Sequence, residues 1–232
     1  MKASLTLLVV AFAILSAQAQ SNIFSINVVG YVNHGFASGI SLFSNPLEGS
    51  TNNNLGSLFS AAVVPNGTTI SLWNPTTLSF DSTSTFNSGL WSVNFTLNPG
   101  TGARLTAPSA FTNTFIGTVL NHDGTVFDGN DLTTPPVYAG PNGIFLLSDK
   151  TPIGSTGDDI FLNILGRAPQ TGEQVLTLTT ASTYLGGGSW DHIPSLGVSD
   201  AVFLNIGPVP EPSVAALGVL GLALLGKRHR QR

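Results

Sequence analysis

Cysteine is absent from this sequence, which excludes a disulfide framework, a thiolate metal site and a cysteine nucleophile. An exported body of about 190 residues can dispense with cross-links because it is long enough to bury a core. Charge is scarce too, at 9% of residues against roughly 25% in an ordinary soluble domain. Between the two ends the only cations are Arg104, Lys150 and Arg167, set against eleven carboxylates over residues 20–207. A body of that sign repels phosphate backbones, so nucleic acid is not an expected partner. Strong helix formers are few and there is one methionine.

Motifs of chemistry are missing as well. No G-x-S-x-G elbow, H-E-x-x-H helix or phosphate-binding fingerprint occurs, so serine-hydrolase, zinc-peptidase and nucleotide readings have no support. The histidines are His34, His122, His192 and His229. In His122-Asp123 and Asp191-His192 the two side chains are chain neighbours, which on a strand point to opposite faces. The expectation is a protein that is not an enzyme and holds no cofactor.

What is present begins with Lys2, the apolar run Leu5 to Leu15, and Ala17-Gln18-Ala19. This is a signal peptide over residues 1–19, with cleavage after Ala19 and a mature start at Gln20. The run is well short of the ~20 residues that span a bilayer. Signal peptidase is therefore an expected partner.

Residues 20–207 read as short β-branched and aromatic runs: 24–32, 40–43, 68–73, 90–97, 115–120, 143–147, 159–165, 174–180 and 200–206. Asn66-Gly67, Asp123-Gly124, Asn142-Gly143 and similar pairs separate them, as hairpin turns require. The best helical stretch is 53–62. The class expected is all-β, a sandwich or open barrel.

The body also repeats itself. Ile40–Pro46 aligns with Ile144–Lys150, Gly67–Ile70 with Gly172–Val175, Trp91–Leu97 with Trp190–Leu196, and Ala103–Leu105 with Val202–Leu204. Two degenerate copies of one unit of about 100 residues are expected, near 23–120 and 135–207. They could be two domains or two halves of one sandwich.

Two candidate ligand sites follow. Trp73, Trp91 and Trp190 are candidate sugar-stacking rings for an envelope glycan or exopolysaccharide, although the commoner role of such rings is packing. Trp73, at a strand end before a turn, is the one expected to be exposed. Asp123, Asp128, Asn130 and Asp131 form the densest oxygen cluster. That is the donor type Ca²⁺ takes, but the spacing fits no EF-hand, and ordinary Asp-Gly turns in the linker between the repeats are the favoured explanation. Asn66-Gly-Thr68 and Asn94-Phe-Thr96 match the N-glycosylation pattern.

The C-terminal end carries the most specific signal. Val209-Pro210-Glu211-Pro212-Ser213 precedes an uncharged run through Gly226, then Lys227, Arg228, Arg230 and Arg232. A helix over about 213–226 with its basic flank reaches into the membrane and holds the tail, 227–232, on the cytoplasmic side. The thirteen residues Val214–Gly226 span only roughly 20 Å at 1.5 Å each, marginal for a permanent anchor. Pro210 and Pro212 keep the preceding segment extended, a form that a processing enzyme can bind.

This order of triplet, short span and basic end resembles the PEP-CTERM sorting domain of Gram-negative bacteria. The resemblance covers 209–232. It implies recognition of Pro210, Glu211 and Pro212 by a membrane-embedded exosortase, a transpeptidase of the cysteine type. It also implies removal of the apolar stub and release or attachment at the cell surface, often alongside exopolysaccharide production. The sequence thus reads as an exported, non-enzymatic surface or matrix protein, transiently membrane-anchored, with a carbohydrate-binding module as the alternative.

Overall fold

The computed structural model describes residues 28–49, 52–127, 136 and 141–207. The signal peptide, the 209–232 sorting segment, and Asp128, Asn130 and Asp131 lie outside the described residues. Among the described residues no helix is long and apolar enough to cross a membrane.

The fold class is all-β. Fourteen strands form antiparallel sheets, with two helices, among the described residues. The first five-stranded sheet contains β2 (Gly39–Ser44), β3 (Thr69–Asn74), β4 (Ser79–Asn87), β5 (Leu90–Trp91) and β6 (Gly102–Ala107), in the order β2-β6-β3-β4-β5. The second contains β8 (Gly143–Leu147), β10 (Gln174–Leu176), β11 (Ala181–Gly186), β12 (Ser189–Trp190) and β14 (Val202–Ile206), in the order β8-β14-β10-β11-β12. Taken in chain order within each sheet, both run first, last, second, third, fourth. A ribbon of β1 (Val29–Phe36) and β7 (Phe111–Thr118) adds to the first half, and β9 (Ser155–Thr156) pairs β13 (Ser195–Leu196) in the second.

Each sheet closes its own core by alternation of side chains. On β2, β3 and β6 the inward residues Phe43, Ile70, Ala103 and Leu105 meet Phe36, Phe115, Leu55 and Leu97, all fully buried. Leu55 belongs to α1 (Leu55–Leu58), one turn capped by the Asn54 side chain accepting from Ser57 N. In the second half Val175, Val202, Leu204 and Ile206 pack on Ile160, Phe161 and Leu165. Those three come from α2 (Asp158–Leu165).

That helix corrects the strand expected over 159–165. DDIFLNIL is apolar enough for a strand, but its buried residues Ile160, Phe161 and Leu165 sit on one helical face. Asp158 and Asp159 occupy the first turn, where the helix dipole favours negative charge. Gly166 ends the helix at φ +72°, and a Cβ there would lie 1.6 Å from Pro136 O, so glycine is required twice over. The expected helix at 53–62 shortens to α1.

The run 90–97 is also not one strand: β5 stops at Trp91, though Trp91 and Leu97 still reach the same core. β4 (SFDSTSTFN) and β11 (ASTYLG) were absent from the expected runs because small polar residues fill them. Ser and Thr pair across the ladder instead, with Ser71 Oγ 2.8 Å from Thr83 Oγ1.

Candidate functional site

The three tryptophans occupy two kinds of place. Trp73, at the end of β3, is half-buried between Phe80 and Phe203, at ring-centroid distances of 5.2 and 4.8 Å. Its indole Nε1–H donates to Ile144 O at 2.8 Å. The ring expected to stand free at a strand end therefore joins the two sheets.

Trp91 and Trp190 lie on the short edge strands β5 and β12. Phe86 sits 5.2 Å from Trp91, and Tyr184 sits 5.2 Å from Trp190. A phenylalanine from the helical segment covers each: Phe59 at 5.7 Å and Phe161 at 6.0 Å. Trp190 Nε1 donates to Asp158 Oδ1 at 2.7 Å, whereas Trp91 Nε1 is buried without a partner. Beside them Leu90 and Ile193 are strongly exposed, at 75% and 77%.

Of the oxygen cluster only Asp123 is described. Its Oδ1 accepts from Thr125 N at 2.8 Å and Thr125 Oγ1 at 2.7 Å, closing the Asp-Gly turn. The Thr125 N–H holds this exposed carboxyl below its ordinary value, with help from the Thr125 hydroxyl. Among the described residues no group of three or more His, Asp or Glu side chains gathers where a cation could sit.

No sequence motif marks the buried pair that joins two distant parts of the chain. His122 Nδ1 lies 2.7 Å from Asp149 Oδ1, both side chains being almost wholly buried. Under the sequence alignment of 40–46 with 144–150 Asp149 falls opposite Asn45, and both accept from the backbone two residues on: Leu47 N to Asn45 Oδ1, Thr151 N to Asp149 Oδ1. Asn45 then uses Nδ2 to donate to Asn53 Oδ1 and Leu97 O, each at 3.2 Å. A carboxylate has no such donor, and Asp149 Oδ2 is buried without a partner. His122 takes up the other oxygen.

His122 borders a cleft of about 250 Å³ with Thr101, Ser148, Lys150 and Asn163. The contact of His122 Nδ1 with Asp149 Oδ1 has the geometry of a general base with its orienting carboxylate. No hydroxyl or amine among the described residues hydrogen-bonds to His122, and Ser148 Oγ is committed to Asp200 O at 2.7 Å. Lys150 Nζ donates to Asp123 O at 3.2 Å.

The remaining buried charge is Glu173, fully enclosed, gripped by Arg167 NH2 at 2.6 Å and NH1 at 2.9 Å. Burial is the largest single influence and opposes its ionisation. The Arg167 guanidinium and the N–H groups of Gln170 and Gly207 outweigh that together and hold the carboxyl below its ordinary value. The pair anchors the turn before β10 to the end of β14.

No family model, no curated protein and no solved structure matches the chain.

Proposed function

We propose that this is an exported, non-enzymatic protein of the cell surface or extracellular matrix, delivered by an exosortase-type system, with a body made of two copies of one β-unit. The observation that carries the delivery is Val209-Pro210-Glu211-Pro212-Ser213 followed by an uncharged span and KRHR. β14 ends at Ile206, so the triplet follows the body almost at once. In sequence only Gly207, Pro208 and Val209 lie between Ile206 and Pro210. Partners on this reading are signal peptidase, the membrane and an exosortase-like transpeptidase. Mass spectrometry of the surface fraction tests it: loss of the residues beyond the triplet is expected, and chains still ending at Arg232 would leave only a tail anchor.

The duplication is supported by the shared strand order of the two sheets and by matched turns. Gly67 (φ +87°) donates to Phe86 O and Gly172 (φ +89°) to Tyr184 O, both at 2.8 Å.

A second reading, an envelope glycan-binding module, is supported by Trp91 and Trp190 on edge strands beside exposed Leu90 and Ile193. Polysaccharide pull-down tests it. Binding lost in Trp190→Ala but kept in Trp73→Ala would favour a stacking role at the edges.

A further inference from the structure

The two halves meet at a seam whose contacts come in exchanged pairs. Phe43 of β2 bridges to Asp200, just before β14. Leu147 of β8 bridges to Thr101, just before β6. Ser44 N donates to Ser199 O at 2.9 Å, and Ser148 N donates to Gly100 O at 3.1 Å. Under the alignment of Ile40–Pro46 with Ile144–Lys150, Phe43 corresponds to Leu147 and Ser44 to Ser148. Extending the Ala103/Val202 block upstream makes Gly102 equivalent to Ala201, Thr101 to Asp200 and Gly100 to Ser199.

Each contact is thus its counterpart with the halves interchanged. The backbone agrees, since Gly100 and Ser199 both have positive φ, +87° and +70°. Reciprocity of this kind, i to j′ and j to i′, marks an isologous interface between two like subunits. Between the sheets Leu42, Leu146 and Ala201 form a shared apolar cluster with Trp73, Phe80 and Phe203. Arg104 stacks 4.1 Å over Phe80.

We propose that the seam is a docking surface in its own right, and that the partner it fits is the complementary unit, which it binds without help from the connecting chain. This rests on the duplication proposed above and is independent of the sorting reading. The connecting chain serves to raise the effective concentration of one unit for the other, to roughly millimolar for short linkers. Within one chain that favours internal pairing in dilute solution.

The experiment uses the whole chain with a protease site inserted between Leu132 and Thr133. It is prepared once with an affinity tag on the first unit and once untagged with isotope label. After cleavage, the two pieces are expected to co-elute in size exclusion at the size of the uncut protein. After mixing the two cleaved preparations, labelled second unit is expected to be captured with tagged first unit. Gly102→Leu, or Leu146→Lys as an independent variant, should abolish capture while the uncut chain retains its β-sheet circular dichroism. Pieces that separate at micromolar concentration, or capture unaffected by both seam variants, would overturn the proposal. If the separated pieces keep sheet structure, the duplication stands without a self-standing seam; if they unfold, the two copies are halves of one sandwich that do not fold apart.

Discussion

Gly102 and Ala201 approach so closely that a methyl group on Gly102 would lie 2.9 Å from the Ala201 Cβ. It would also lie 2.6 Å from Leu146 Cγ and 2.9 Å from the Leu146 carbonyl carbon. Backbone on one side cannot yield as a side-chain tip can. Gly102→Val is therefore expected to destabilise the protein by about 2 kcal/mol, the range for overpacking a tight contact. Urea denaturation followed by tryptophan fluorescence measures it. An unchanged midpoint would mean the seam is looser than described.

Asn45 and Asp149 both accept from the backbone N–H two residues on, but only Asn45 also donates, so exchanging them should be asymmetric. Asn45→Asp removes the donor to Leu97 O and places a carboxylate against it, at a cost of about 2–3 kcal/mol for an unsatisfied buried group. Asp149→Asn keeps the acceptor for Thr151 N and His122 Nδ1 and exchanges one unpartnered buried atom, Asp149 Oδ2, for another. It is expected to change stability by less than about 1 kcal/mol. Comparable losses in both variants would contradict that asymmetry.

Arg167→Ala would leave Glu173 buried without its guanidinium. Arg167 is 33% exposed, so a loss of about 2–3 kcal/mol is expected, at or below the lower end for a broken buried pair. The native Glu173 carboxyl titrates below its ordinary value of 4.5. Its contribution is therefore complete above that pH and is lost as pH falls through the lowered value. Acid unfolding of Arg167→Ala should accordingly begin at higher pH than in the native protein, as read by circular dichroism.

His34 gives a milder pH dependence. Burial lowers its pKa from 6.5, against the attraction of Asp200 and a hydrogen bond with the Val198 backbone. Because the unfolded chain binds the proton more readily, stability is complete above 6.5 and falls as pH drops through the lowered folded value. His34→Gln should flatten the change in urea midpoint between pH 7.5 and 5.5. An identical slope in both proteins would assign that pH dependence to other groups.

The apolar runs 40–43 and 143–147 placed β2 and β8 to within a residue or so, and the Asn66-Gly67 pair marked a turn that needs positive φ. β4 and β11 escaped notice because Ser/Thr strands carry no hydrophobic run. α2 escaped because eight apolar-rich residues fit either period. His122–Asp149 could not be read at all: the residues are 27 apart, and Asp123 beside His122 was the distracting neighbour. Arg167 and Glu173 were closer to legible, being one of three interior cations and a carboxylate six residues on.

The position of β14 bears on how the molecule resists force. β14 is the last strand before Gly207, and it is hydrogen-bonded on both sides, to β8 and β10. A pull on the chain beyond Gly207 acts along that strand and loads both ladders in shear at once, instead of peeling a single edge bond by bond. Glu173 Oε1 accepts from Gly207 N at 3.0 Å and adds a clamp at the exit. Of the strands in the second sheet, the one leading to the tail is thus among those hardest to draw out.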